Sequence, residues 1–178
     1  MAKRTININL FDSKSIQNAI KQIESYRDDL PRKCQEICRR LAEEGVRVAD
    51  VAINSVPIGK TITLTTDINP SKMGCKAIMK MTGRETRTED GRIFFSALAI
   101  EFGSGIYYNK AANPKSSEFN MGVGTFPGQT HAFQDKWYYL GEDGEWHSSH
   151  GVQASMPMYK ASVEMRQKID SIVKEVFG

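Results

Sequence analysis

The sequence predicts an α+β fold: an antiparallel β-sheet packed with two N-terminal helices and one C-terminal helix. Three observations carry this expectation. Apolar residues recur at helical spacing before Ala52 and again from Pro157 to Phe177. Between them, from Thr61, the period changes to two. Within that region Arg92–Gly105, RIFFSALAIEFGSG, is apolar on both alternating faces, which reads as a central strand covered on both sides.

The elements follow in order. Thr5–Leu10 alternates β-branched and polar residues as a short strand does. Asp12 or Ser13 then caps a first helix, whose stripe is Ile16, Ala19, Ile20, Ile23 and Leu30 with Tyr26 alongside. Pro31 stops it and suits the first turn of a second helix. That second helix carries Cys34, Ile37, Cys38, Leu41, Gly45, Val48, Ala49 and Ala52 on one face. Its small residues allow close backbone packing, and Asn54–Gly59 breaks it.

Thr61–Asp67 and Cys75–Thr82 read as strands. Arg84–Arg92 is charged and contains the turn signal Asp90-Gly91, so Lys76–Phe102 reads as a hairpin with a long solvated tip. A polar, aromatic-rich insertion follows at about 106–151, with a small hairpin at Lys136–Trp146 turning through Gly141–Gly144. Pro157–Phe177 closes the chain as an amphipathic helix.

A length of 178 residues suits a single α+β domain over 1–178 carrying that insertion. With 40% hydrophobic and 25% charged residues, the chain reads as soluble and globular. The net charge of +3 is mild, and there is no basic block beyond Lys3-Arg4 and Arg39-Arg40, so charge alone makes no case for nucleic acid. No apolar run approaches a membrane span, and MAKRTININLF lacks the apolar core of a secretory signal. Cys34, Cys38 and Cys75 are an odd set without CxxC spacing, which reads as free thiols in a reducing cytoplasm.

Four constellations bear on chemistry. Cys34 and Cys38 are one turn apart on an apolar stripe and read as buried inert thiols, not metal ligands. His131, Glu145, His147 and His150 form the best metal set and would suit a metal-dependent hydrolase. They lack the rigid scaffold of an HExxH helix, so a surface role is favoured. Glu101 tempts as a general acid or base, yet no Ser-His-Asp or Cys-His pattern assembles around it. A carboxylate accepting N–H bonds from its own glycine turn, or meeting a positive group across a subunit contact, is the better account.

Finally, the aromatics Tyr107, Tyr108, Phe119, Phe126, Phe133, Trp137, Tyr138, Tyr139 and Trp146 are too many for a small exposed segment. Interleaving with Lys110, Lys115 and Lys136 would also suit a single-stranded nucleic-acid binder, but no such signature accompanies them. An interface is favoured. Gly122-Val-Gly124 has no strand before it or helix after it, and there is no Walker lysine. The sequence therefore assigns no catalytic residue, metal or cofactor.

Ala99-Ile100-Glu101-Phe102-Gly103-Ser104, followed by Ser155-Met156-Pro157-Met158-Tyr159-Lys160-Ala161, resembles the tail-completion, or head–tail joining, proteins of long-tailed bacteriophages. Ser104 stands where Thr is commoner in that family. The long segment between the motifs looks like an elaboration found in phages of Gram-positive hosts. The resemblance implies a structural virion protein of the neck, without enzymatic activity, assembled in the host cytoplasm as a ring of six or twelve copies. Its partners would be the portal-side connector and the tail tube, with genomic DNA passing through unread and no membrane involved. Interface and pivot residues would be Glu101, Phe102, Gly103, Gly105, Trp137, Tyr138, Tyr139, Trp146 and Pro157.

Overall fold

A computed structural model describes residues 5–72, 74–87, 93–110, 113–119, 135–140 and 143–178. Helices combine with three two-stranded sheets, so the fold is α+β. The chain divides into two compact units. One comprises Met1–Glu43, Thr66–Ile78 and Met165–Gly178, and the other Glu44–Thr65 and Met79–Glu164.

The expected N-terminal strand is absent: residues 5–10 have no regular structure. Asn9 accounts for much of this. Its side chain accepts the Phe11 N–H at 3.1 Å and its own N–H donates to Ser15 Oγ at 2.9 Å, a local turn that competes with strand pairing. Asp12 then caps α1 (Ser13–Asn54), its carboxylate accepting the Lys14 N–H at 3.0 Å.

α1 is a single 42-residue helix in place of the two expected. Pro31 lies inside it and supplies no N–H for the Arg27 carbonyl, a fault that normally breaks a helix. The residues on either side hold their helical course. Asp29 pairs with Arg32 at 2.6 Å, and Glu36 pairs with Arg39 at 2.7 Å and Arg40 at 2.8 Å. Exposed pairs of this kind contribute little each. The larger anchor is burial of Ala42, Ala49, Ala52 and Ile53 in the C-terminal half.

β1 (Thr63–Ser71) pairs with β2 (Gly74–Thr82), and β3 (Glu85–Arg87) pairs antiparallel with β4 (Ile93–Phe95). The single sheet and the Lys76–Phe102 hairpin are thus replaced by two smaller pairings, and Asp90-Gly91 lies outside the described residues. The presumed central strand ends at Phe95. From Ser96 the chain turns into α2 (Ser96–Phe102), with Ser96, Ala99, Ile100 and Phe102 buried. A short run that is apolar all round fits a buried helix as well as a buried strand, and Ala97-Leu98-Ala99 favours the helix.

In the insertion, β5 (Trp137–Leu140) pairs antiparallel with β6 (Trp146–Ser149), the hairpin the sequence predicts. Single 3₁₀ turns at Gly105–Lys110 and Ser116–Phe119 add order that the sequence pattern does not announce. α3 spans Pro157–Phe177, as expected.

Within the first unit, α3 meets α1 through Arg40, which holds Glu175 at 2.8 Å, and Lys33, whose Nζ lies 4.8 Å from the centre of the Phe177 ring. The second unit buries Ala49, Ala52, Ile53, Ile100, Phe102 and Ala161. Among the described residues, no helix is long and apolar enough to cross a membrane.

Candidate functional site: a carboxylate pivot and an aromatic hairpin

α3 begins with a capping problem. Met156 stands at the N-cap position, its carbonyl accepting the Lys160 N–H at 3.0 Å, with a positive φ of 54°. A methionine side chain cannot accept the free N–H groups of the first helical turn. Pro157 at the first helical position has no N–H to satisfy and is fully buried. That leaves Met158 and Tyr159 as donors in need of an acceptor.

Glu101 provides it from the last turn of α2. Its carboxylate accepts the Met158 N–H at 2.9 Å and the Tyr159 N–H at 3.0 Å, while Asn113 Nδ2 donates to Oε1 at 2.9 Å. Asn113 is held for this by its side-chain Oδ1, which accepts the Lys115 N–H at 3.0 Å. Glu101 is therefore a cap supplied from 57 residues away in sequence. Burial pushes its carboxyl above the ordinary value. The Met158 and Tyr159 N–H groups, Asn113 and the nearby Lys160 charge oppose that rise without cancelling it.

The backbones join as well. Ile100 O accepts the N–H of Ser155 at 3.0 Å and of Met156 at 3.2 Å. Ser104 N donates to Val152 O at 2.8 Å, and Val152 N donates back to Ser104 Oγ at 2.9 Å. The AIEFGS and SMPMYKA segments thus lie side by side. Gly103 ends α2 at φ 80°, its N–H bonded to Ala99 O at 2.8 Å. Gly105 follows at φ 62°, where a Cβ would lie 2.5 Å from His150 O and 2.7 Å from the Trp137 ring. Glycine is required there on both counts.

The hairpin has two unlike faces. Trp137, His147 and Ser149 point one way and are half-buried, with Trp137 against Gly105. Tyr138 and Trp146 point the other way, 62% and 71% exposed. The nine residues expected at an interface or pivot therefore separate. Glu101, Phe102, Gly103, Gly105 and Pro157 are buried at the pivot, Trp137 packs onto it, and Tyr138 and Trp146 face outward. The Tyr139 side chain lies outside the described residues.

The Glu101 acceptors also differ from expectation. Its partners are α3 and Asn113, not its own glycine turn, because α3 presents uncapped N–H groups to it. With three hydrogen bonds on two oxygens, the carboxylate is occupied as a structural acceptor. Sequence reasoning misses Asn113, Ser104 and Gly151. One signal was present: Met156-Pro157 opens a helix with no capping side chain of its own.

The four residues of the metal set are not all within view. His131 lies outside the described residues. His147 Nε2 is 2.9 Å from Asp143 Oδ2, His150 Nδ1 meets Asp135 O, and Glu145 is exposed. No group of three His, Cys, Asp or Glu side chains converges as a metal site among the described residues. Cys34, Cys38 and Cys75 are free and half-buried. Comparison with protein-family models, curated proteins and solved structures finds no match.

Proposed function

We propose that this chain is a structural virion protein of the bacteriophage head–tail interface, acting by ring assembly between the portal-side connector and the tail tube. The observation that supports this reading is the contact between the two motifs that carry the family resemblance. They lie more than 50 residues apart in sequence, yet Ile100 bonds Ser155 and Met156 while Glu101 bonds Met158 and Tyr159. Residues paired in one structural unit are what a shared fold would preserve.

The mechanism is assembly. The pivot holds the root of the insertion with glycine turns and a buried carboxylate, and the hairpin rising from it offers Tyr138 and Trp146 to a neighbour. The assay is sedimentation and electron microscopy of the purified protein, alone and with connector and tail-tube proteins. Rings or stable complexes are expected. A chain that stays strictly monomeric even with those partners overturns the reading.

A further inference from the structure

The first unit carries an apolar groove that its own chain leaves open. About 990 Å³ in volume, its apolar lining is Ile6, Ile23, Tyr26, Val173 and Phe177, with Lys21 and Lys33 among its walls. Ile23 is 55% exposed, and it continues a row of exposed apolar residues, Ile16 and Ile20, along the same stretch of α1. Lys33 lies over the Phe177 ring, so a positive charge sits directly on the apolar wall.

The outward face of the hairpin has the opposite character. Trp146 is its most exposed aromatic, and Asp143 and Glu145 precede it in the chain. Tyr138 lies on the same face, one strand away. Lys33 is already paired with Asp29 at 3.7 Å and Asp143 with His147 at 2.9 Å, so the complementary charges are Lys21 beside the apolar wall and Glu145 beside the exposed indole. Lys21 and Glu145 form no ion pair among the described residues, so both charges are available.

We infer that the groove of the first unit receives the Asp143–Trp146 edge of the hairpin from a second copy of this chain, the indole entering between Ile23 and Phe177 while Lys21 meets Glu145. Trp and Tyr bury about 150–250 Å² each. A stable contact needs about 800 Å² per partner. Two aromatics do not reach that area alone, and exposed Ile16 and Ile20 on the same stretch of α1 as Ile23 add apolar surface beside the groove. Knob and groove are different surfaces of one chain, so the contact is head-to-tail and leaves one of each free in every pair, able to take a further copy. This inference rests on the assembly reading only in requiring that copies associate.

The test uses two variants of the full chain, Ile23→Asp in the groove and Trp146→Lys on the hairpin. Both positions are exposed, and circular dichroism verifies folding. Sedimentation velocity over a concentration series should show wild-type assembly weakened at least tenfold in each variant alone. Mixed in equal amounts, the two should form a species of two copies and no larger, because one intact groove meets one intact knob. Should either variant misfold, Lys21→Glu and Glu145→Lys replace them, each weakening assembly and the double variant restoring it. Loss of assembly through Ile23→Asp alone, with Trp146→Lys silent and no pairing on mixing, would identify an α1–α1 contact and overturn the inference. Wild-type assembly unchanged in all variants overturns it while leaving the assembly reading intact. A wild-type chain that is monomeric at every concentration yet binds connector or tail-tube protein overturns it in favour of a foreign partner.

Discussion

Glu101 accepts the backbone N–H of Met158 across 2.9 Å, and this bond joins the end of one helix to the start of another. Each side lacks something the other has. α3 starts at Met156-Pro157 without a capping side chain, and Glu101 is buried with no cation in hydrogen-bonding range among the described residues. A helix N-terminus stabilises negative charge, and a carboxylate satisfies the first free N–H groups.

Replacing Glu101 tests that account. Glu101→Ala strands two main-chain N–H groups and the Asn113 amide and opens a cavity, and the expected loss is about 2–4 kcal/mol. Glu101→Gln keeps the shape and one acceptor but turns its amide hydrogens toward other donors, for an expected loss of about 1–2 kcal/mol. Urea unfolding midpoints read both, and equal, negligible losses would refute the capping role.

The pH dependence of that site has a definite sign. Burial raises the folded Glu101 carboxyl above its ordinary value of 4.5, so the folded state holds this proton more tightly than the unfolded state. The group's contribution is then largest below 4.5 and declines as pH rises through the folded value, after which it is flat. Half-buried Glu36 works oppositely: Arg39 and Arg40 hold its carboxyl down to about 2, and its contribution is lost as pH falls through that value. Comparing wild type with Glu101→Gln cancels Glu36. The wild-type advantage should shrink as pH rises above 4.5, and an advantage that grows would reverse the assignment.

The legible parts of this fold are those settled by neighbours in sequence. Pro157 with the stripe Met158, Ala161, Met165, Ile169 and Ile172 announces α3, and Gly141–Gly144 between aromatic runs announces the hairpin. Where competing local rules meet, the outcome depends on tertiary contacts. Pro31 argues for a break, yet burial further along α1 keeps one helix. The run from Phe94 to Phe102 satisfies strand and helix patterns equally, and the pairing of only Ile93–Phe95 decides it. At the pivot, Glu101 and Gly105 stand out from the sequence, but Asn113 and Gly151 do not. Their roles exist only once residues 100–106 lie against 150–159.

Gly151 offers a stringent check of that pairing. At φ 108°, a Cβ there would lie 2.1 Å from the Ser104 carbonyl oxygen, backbone that cannot move without breaking the Ser104–Val152 bonds. Gly151→Ala should cost about 3 kcal/mol or more, combining left-handed strain with the clash. Gly144 at φ 78° has open space around it, so Gly144→Ala should cost only about 1 kcal/mol. Thermal unfolding of the two variants side by side separates strain from contact, and similar losses would place no tight approach at Gly151.

Cys38 tests the packing of the first unit. Its Sγ donates to Cys75 O across 3.4 Å, and burial first, then the neighbouring Cys75, push its thiol from 9.0 up to about 11. A shift of that size leaves about a hundredfold less thiolate near neutral pH, and the thiolate is the reactive form. In a Cys34→Ser, Cys75→Ser double variant, iodoacetamide should therefore label folded Cys38 far more slowly than the same chain in urea at the same pH. Part of the shift leaves with Cys75, so the retardation should be smaller than in a Cys34→Ser single variant followed by mass spectrometry at Cys38. Equal rates in folded and unfolded protein would mean that α1 does not cover this thiol against β2, and the packing of the first unit would need to be redrawn.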